Sequence, residues 1–234
     1  MSYSFESRIR FSEVGEDKKL TLNGLINYFQ DCSTFHSEAA GVGMDHLMQK
    51  QRTWVLSAWQ IAVERYPRLC EKIRISTWPY EFKRFLGNRN FVMEDEEGRR
   101  IAYANTLWTF LDLETGMPAL VDEEQIQAYP LEEKLAMEYA PRKIRLPKGY
   151  REFESFTVKP HHLDSNHHVN NGQYIQMAQE YLPADFCVSQ MRAEYKKQAV
   201  LGDEIIPRIH EEKGVYTVSL DSPLADTYAV IELK

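Results

Sequence analysis

The sequence predicts an α+β protein that contains two copies of one unit, each an antiparallel sheet wrapped around a long helix. Two observations predict it. A short segment recurs at a spacing of 148 residues and opens a helix in each copy, and a series of β-type runs follows each helix. A length of 234 residues fits two small packed units better than two large domains.

The repeated segment carries an Asn-Gly pair, at Asn23 in the first copy and at Asn171 in the second. Apolar residues follow with the helical period in both copies: Leu22, Leu25, Ile26, Phe29 and Cys32 in the first, and Tyr174, Met177, Ala178 and Tyr181 in the second. We therefore expect a one-faced helix in each copy. An asparagine at the front of each segment, within 22–29 in the first copy and 170–177 in the second, is the expected N-cap.

Runs rich in β-branched and aromatic residues follow each helix and are separated by turn-forming residues. They predict four strands per copy: 54–63, 73–78, 90–94 and 101–113, then 191–197, 204–210, 215–220 and 227–233. The turns EEG (96–98) and EEKG (211–214) resemble each other. A helix followed by an antiparallel meander, twice in one chain, is typical of a tandem double hotdog.

A charged, proline-containing stretch separates the two copies. We expect an N-terminal hotdog over 1–121, a linker over 122–150 that is partly helical at 131–139, and a C-terminal hotdog over 151–234. The linker ends with five cationic residues within ten positions that contain no acid: Arg142, Lys143, Arg145, Lys148 and Arg151. Such a run is ordinarily solvated, and a docking surface for an acidic protein is the alternative.

Composition excludes several classes of protein. A net charge of −7 argues against broad electrostatic binding to nucleic acid. The sequence has no apolar run of the roughly 20 residues that span a bilayer, and its first residues do not resemble a secretory signal, so we expect a cytoplasmic protein that does not enter a membrane. Three widely separated cysteines fit a reducing compartment. Two hotdogs in one chain are compatible with a monomer or a homodimer.

The polar stretch HHLDSNHHVNN (161–171) directly precedes the second helix. If it is extended, Asp164, Asn166 and His168 lie on one face. A carboxylate can orient an imidazole, an imidazole can transfer protons near neutral pH, and an amide can hold water or a carbonyl group. The unpaired N–H groups of the helix start, those of Asn171 or Gly172, are candidates for an oxyanion hole.

Two other interpretations apply to this stretch. A polar loop before a helix is ordinary capping chemistry, and four histidines with one aspartate within eight residues could bind zinc. However, adjacent His167 and His168 should diverge and no HExxH spacing is present, so we expect no metal and no cofactor. At the 148-residue offset the first copy has Glu16, Lys18 and Leu20 in place of the polar triplet. A triplet in one copy alone is what a single active site in a duplicated scaffold predicts.

The stretch LDSNHHVNNGQYI (163–175) resembles the D-x-N-x-H-V-N-N-x-x-Y-I signature of plant and bacterial acyl-acyl carrier protein thioesterases. The resemblance covers nearly the whole chain, through RYP (65–67), ISTW (75–78), Trp108, LDLETGMP (111–118) and EYKK (194–197). It implies a double hotdog hydrolase of fatty acid biosynthesis, with acyl carrier protein as its partner. A thioester already has a good leaving group, so no metal or nucleotide is required.

By this resemblance Asp164, Asn166 and His168 correspond to the family's catalytic Asp, Asn and His. One departure affects the mechanism. The plant proteins follow E-Y-R-R with Glu-Cys, and that Glu is counted as catalytic, whereas this chain has Gln198 followed by alanine. An amide can orient water but cannot accept its proton. The general base is then His168, or Glu194 if that residue turns inward.

The resemblance also places the acyl chain largely in the N-terminal hotdog, along the helix at 22–35. Candidate lining residues are Trp54, Leu56, Trp59 and Phe85, and candidate docking residues for the carrier protein are Arg142, Lys143, Arg145 and Lys148. Two rival functions remain, and a third, a hotdog dehydratase, is disfavoured because the triplet matches the thioesterase signature. A hotdog enzyme acting on coenzyme A esters needs a small phosphate pocket instead of a basic docking face, and a noncatalytic acyl-binding hotdog has no use for a proton-transfer group.

Overall fold

The computed structural model describes residues 2–234, and these residues form two compact units. The first unit comprises the chain up to Ser57 together with Ile61–Tyr139, and the second comprises Ala58–Gln60 and Ala140–Lys234. Each unit contains a helix packed on antiparallel strands. The predicted α+β class with two helix-and-sheet copies is confirmed.

The first unit has five strands in the order β1-β3-β4-β5-β2. Their bounds are β1 (Tyr3–Arg8), β2 (Arg52–Val63), β3 (Lys72–Lys83), β4 (Leu86–Asp95) and β5 (Arg100–Asp112). The helices are α1 (Leu22–Ala39), α2 (Met44–Gln49) and α3 (Glu123–Ala128). The four predicted strands and the long helix are confirmed. Strand β1 was not predicted, because its residues are mostly polar and are half-buried or exposed.

Helix α1 lies against the sheet through the apolar face that its sequence predicts. Phe29 packs on Phe91 of β4 with ring centroids 5.2 Å apart, and the Cys32 Sγ donates to the carbonyl of Ile75 at 3.7 Å. Alternation along β3 turns Ile73 and Ile75 to the same core. Burying each side chain of this size stabilises the fold by about 1.5–3 kcal/mol, so these contacts hold the helix on the sheet.

The second unit repeats this arrangement with a shorter helix, α4 (Asn171–Gln179). Its strands are β6 (Arg151–Glu152), β7 (Phe156–Thr157), β8 (Gln190–Tyr195), β9 (Glu204–Glu212), β10 (Val215–Asp221) and β11 (Thr227–Leu233). The order is β8-β11-β10-β9-β6, with β7 also pairing β9, and every pairing is antiparallel. The four predicted strands of this copy are confirmed. Tyr174 and Met177 turn the buried face of α4 to this core.

The loop before each long helix has the same backbone in both units. A 3₁₀ turn begins at Phe11 and at Pro160, and a residue with positive φ follows at Lys18 (φ 60°) and at His167 (φ 63°). Both pairs of positions are 149 residues apart. The 148-residue alignment based on the Asn-Gly pairs is therefore wrong by one residue. The residues that correspond to the polar triplet in the first unit are Gly15, Asp17 and Lys19, which also lack it.

The Asn-Gly pair lies one position later in α1 than in α4, relative to the first residue of each helix, and the two helix caps differ accordingly. In α1 the Oγ1 of Thr21 accepts from the N–H of Gly24 at 3.0 Å, whereas in α4 the Oδ1 of Asn170 accepts from the N–H of Gly172 at 2.8 Å. The prediction that an asparagine caps both helices is thus confirmed for α4 and wrong for α1. A threonine Oγ1 reaches the third N–H of a helix as well as an asparagine does.

The segment between the two copies is divided between the units. It contains α3, but residues 131–139 form no helix in the part of the chain that the structure describes, so the predicted helix there is wrong. The Oδ1 of Asn90 instead accepts from the N–H of Leu135 and from the hydroxyl of Tyr139, each at 3.0 Å. These bonds to the sheet replace helical ones. The boundaries at 121 and 151 stay predictions.

No helix within residues 2–234 is long and apolar enough to cross a membrane.

Candidate active site

The predicted site residues Asp164, Asn166 and His168 lie in a tight turn of the second unit. The N–H of Asp164 donates to the carbonyl of His168 at 2.8 Å, and the N–H of His167 donates to the carbonyl of Asp164 at 3.1 Å. An isolated bridge between Leu163 and Val169 closes the turn. The assumption of an extended stretch is therefore wrong, and strict alternation does not decide which side chains share a face.

The carboxylate of Asp164 orders this turn. Its Oδ1 accepts the N–H of Asn166 at 2.8 Å and the N–H of His168 at 3.3 Å. Because His167 needs the left-handed region, where a non-glycine residue is strained, side-chain support of this kind stabilises the turn. Among residues 2–234, no hydrogen bond or ion pair reaches the imidazole of His168, which is half-buried.

The start of α4 offers one backbone N–H group for a developing oxyanion. Asn170 occupies two of the first amides, because its Oδ1 accepts from Gly172 at 2.8 Å and its carbonyl accepts from Gln173 at 2.9 Å. The N–H of Asn171 meets no acceptor in the described chain. Of the two predicted oxyanion donors, the structure leaves Asn171 available and engages Gly172. Helix N-termini also favour negative charge through the helix dipole.

A loop segment between β8 and β9 lies directly against the turn. Val169 donates its N–H to the carbonyl of Ala199 at 2.9 Å, and His168 forms a bridge with Val200. Gln198 precedes these residues and is exposed. The segment that contains Gln198 therefore lies next to His168. This agrees with the expectation that the Gln198 amide orients water.

Glu194 occupies a different position. It is 8% exposed, and its Oε2 accepts from the N–H of Ile144 at 3.2 Å. The next residue of β8, Tyr195, donates its hydroxyl to the carbonyl of Asn171 at 2.9 Å. Successive strand residues point to opposite faces. The Glu194 carboxylate therefore lies on the face of β8 away from the start of α4, where it anchors the chain that enters the second unit.

The four candidate acyl-contact residues are not all in one unit. Trp54, Leu56 and Phe85 belong to the first unit, whereas Trp59 falls in the stretch Ala58–Gln60 of the second. Leu56 and Trp59 are each 2% exposed and belong to the core. Trp54 packs on the Phe110 ring at 4.8 Å and is only half-buried.

The four candidate docking residues are exposed on a segment whose backbone is anchored. Arg142, Lys143, Arg145 and Lys148 have exposed side chains, and none of them forms an ion pair within the chain from residue 2 to 234. By contrast, Ile144 between them is 2% exposed, and Arg192 donates to the carbonyl of Pro141 at 2.6 Å. Four uncompensated cations are therefore presented on an ordered backbone.

Two side chains that hold the segment beside the site were not predicted from the sequence. Tyr174 accepts the N–H of Ala199 on its hydroxyl oxygen at 2.8 Å, and Asp203 accepts the N–H of Val200 on its Oδ2 at 3.0 Å. Burial raises the pKa of the Tyr174 hydroxyl, so it is neutral at physiological pH. The one sequence signal for this role is the position of Tyr174 within the signature, since the helical period predicts only that it lies on the apolar face of the helix.

The fold and this loop are those of a double hotdog protein with one polar site at a helix start. Two family models match the chain: the acyl-ACP thioesterase N-terminal domain over residues 1–129 and the acyl-ACP thioesterase C-terminal domain over residues 147–227. The chain belongs to the acyl-ACP thioesterase family.

Relatives and solved structures agree with this assignment. The chain is 23% identical over 207 residues to the acyl-[acyl-carrier-protein] hydrolase FATB2 of Cuphea viscosissima, an alignment that covers 81% of this chain and 50% of that protein. It thus spans about half the length of the curated relatives it matches.

Two solved structures share the fold with this chain. An acyl-ACP thioesterase from Bacteroides thetaiotaomicron superposes with a TM-score of 0.92 at 24% identity, covering 99% of this chain and 96% of that one. The 12:0-ACP thioesterase from Umbellularia californica superposes with a TM-score of 0.88 at 18% identity, covering 100% and 96% of the two chains.

Proposed function

We propose that this protein hydrolyses the thioester of a fatty acyl group carried on acyl carrier protein, releasing the free fatty acid and the carrier protein. Family membership over both halves of the chain supports this reaction class. The observation that supports the mechanism is that His168, whose imidazole has no protein partner among residues 2–234, lies three residues before the start of α4, where the N–H of Asn171 is also unengaged.

In this mechanism His168 is the general base. Its imidazole takes a proton from water while the water oxygen attacks the thioester carbonyl carbon, and the carbonyl oxygen becomes an oxyanion. The C–S bond then breaks, and the imidazolium returns its proton to the leaving thiolate. Each proton is accounted for without a metal or nucleotide. The N–H of Asn171 faces the developing charge and stabilises it.

The neighbouring polar residues have distinct roles. Asp164 stabilises the turn through its two backbone hydrogen bonds. We also assign to its carboxylate charge the stabilisation of the imidazolium. Asn166 and Gln198 are exposed carboxamides that can hold the water or the carbonyl group. Glu194 is not needed as a base, because its carboxylate accepts a hydrogen bond from the N–H of Ile144 on the other face of β8.

The partner follows from the exposed cations. Arg142, Lys143, Arg145 and Lys148 form a basic face on an anchored backbone, which suits an acidic carrier protein more than a single phosphate group. We assign the acyl chain to the first unit, beside α1, with Trp54 as the half-buried lining residue.

A substrate panel tests this proposal. Purified protein is offered acyl carrier protein thioesters and coenzyme A thioesters of the same graded acyl lengths, and free thiol is measured against time. We expect kcat/KM to be at least about 10-fold higher for the carrier protein series, since charge complementarity mainly raises the association rate. Equal or higher values for the coenzyme A series would favour the acyl-CoA thioesterase, and no thiol release from either series would favour a noncatalytic acyl-binding protein.

A further inference from the structure

We propose that Tyr174 is a positioning residue that sets the location of His168 through the loop segment at 198–200. This inference rests on the proposed hydrolysis at His168. Tyr174 touches neither the substrate nor the reacting atoms in this account. It acts by holding the backbone against which the catalytic turn is hydrogen-bonded.

The segment at 198–200 depends on side chains for its position. It lies after the end of β8 and belongs to no strand, so no regular ladder holds its amides. Two side chains take that role: the hydroxyl oxygen of Tyr174 accepts the N–H of Ala199 at 2.8 Å, and the Oδ2 of Asp203 accepts the N–H of Val200 at 3.0 Å. The Tyr228 hydroxyl donates to the same Asp203 oxygen at 3.1 Å.

The catalytic turn is in turn attached to this segment. Val169 donates its N–H to the Ala199 carbonyl at 2.9 Å, and His168 bridges Val200. A shift of Ala199 therefore moves the turn that carries His168 relative to the start of α4. A misplacement of even about 1 Å at a reacting group can reduce turnover greatly.

Burial makes the Tyr174 bond necessary at this place. Tyr174 is 2% exposed and Ala199 is fully buried, so water does not reach the amide of Ala199 in the folded state. If the hydroxyl is removed, that amide must stay unsatisfied or the segment must move toward another acceptor. The second outcome is the one that displaces His168.

The first unit shows that the fold itself does not require this bond. There the same turn is attached through Leu20, whose N–H donates to the Pro67 carbonyl at 2.8 Å, and through a bridge between Lys19 and Arg68. Pro67 thus takes the place of Ala199, and it has no N–H to donate. At the 149-residue offset Leu25 takes the place of Tyr174, so the hydroxyl is absent as well. Donor and acceptor are both present only in the unit that has the Asp164, Asn166 and His168 triplet.

The variant Tyr174→Phe tests the inference, because it removes the acceptor and keeps the ring. We expect kcat to fall by at least about 10-fold with KM changed by less than about 2-fold, since the loss affects the placement of the base and not substrate binding. Hydrogen exchange should report faster exchange at the amides of 198–200. The matched control is Tyr80→Phe, which removes one hydroxyl bond, to the Asn105 Oδ1 at 2.8 Å, far along the chain from the site.

The turnover and hydrogen exchange of these variants decide whether Tyr174 positions His168. Unchanged kcat in a folded Tyr174→Phe protein, or an equal fall in the Tyr80→Phe control, overturns the inference. If Tyr174→Phe does not fold, Tyr228→Phe decides, because it loosens Asp203 and with it Val200: a lower kcat at unchanged KM supports the inference and an unchanged kcat overturns it. If the wild-type protein releases no thiol, the proposed function fails instead. Unaltered hydrogen exchange at the amides of 198–200 in Tyr174→Phe would overturn the positioning role whatever the turnover.

Discussion

A buried histidine in the first unit makes the stability of this protein depend on pH in a predictable direction. His36 lies on α1 and is 7% exposed. Its Nδ1 accepts a hydrogen bond from Nη1 of Arg89 at 2.9 Å, and because arginine can only donate, that nitrogen carries no proton. Burial, reinforced by the Arg89 charge, lowers the pKa of His36 from 6.5 to about 4.

The sign and size of the effect follow from this shift. Between pH 6.5 and 4 the unfolded chain binds a proton at His36 that the folded chain does not, so stability falls as pH falls through this window. At pH 4 the loss from this one group amounts to about 3 kcal/mol relative to pH 7, which is a large part of a typical folding free energy. Below the folded pKa both states are protonated and the loss levels off.

The assay compares wild type with His36→Gln, whose side-chain carbonyl can still accept from Arg89. The free energy of unfolding in urea is measured from pH 7 to pH 4 for both proteins, and the background titration of the carboxylates cancels in the difference. We expect the advantage of wild type over the variant to shrink by about 3 kcal/mol across the window. His161→Gln, at an exposed histidine, is the control and should track wild type. A constant difference between wild type and His36→Gln would show that the pKa of His36 is not lowered in the folded protein.

Two further predictions concern the site and its partner. Replacing the four docking residues with alanine should raise KM for acyl carrier protein thioesters, more at low salt than at high salt, and leave KM for a short pantetheine thioester unchanged. The residues are Arg142, Lys143, Arg145 and Lys148. An unchanged KM for the carrier protein thioesters would show that these cations belong to a solvated linker. Gln198→Ala should lower kcat by about 2- to 12-fold, the equivalent of one positioning hydrogen bond of about 0.5–1.5 kcal/mol. Glu194→Gln should lower kcat by no more than this, because the glutamine keeps an acceptor for the N–H of Ile144. A loss of about 10²–10⁴-fold in Glu194→Gln would identify that carboxylate as the base.

Hydrophobic periodicity was sufficient to predict most of the fold. The apolar face of α1 and the alternation along β3 each report burial directly, so the long helix and eight strands could be located from sequence. Strand β1 was not located because four of its six residues are polar and none of them is fully buried. The helix expected at 131–139 was wrong because hydrogen bonds to Asn90 outweigh local propensity there.

The residues of the candidate site could be predicted from the sequence, but their geometry could not. The polar residues at 164, 166 and 168 could be selected from their chemistry, whereas the positive φ of His167 and the two amides bound by Asp164 depend on the closed turn. Gly172 was expected to offer its N–H to substrate, but Asn170 occupies that group. Tyr174 was predicted to be buried, and that was correct, yet its hydroxyl bond joins residues 25 positions apart in sequence and only the folded chain reveals it.

The turnover of His168→Ala on the best acyl carrier protein thioester of the substrate panel tests most directly whether His168 is the general base. We expect the variant to fold, with a circular dichroism spectrum and melting temperature close to those of wild type, and kcat to fall by about 10²–10⁴-fold because the general base is lost. His167→Ala, which removes an exposed neighbour on the same turn, should stay within a few-fold of wild type. A folded His168→Ala protein that releases thiol at nearly the wild-type rate would contradict the assignment of His168 as the base.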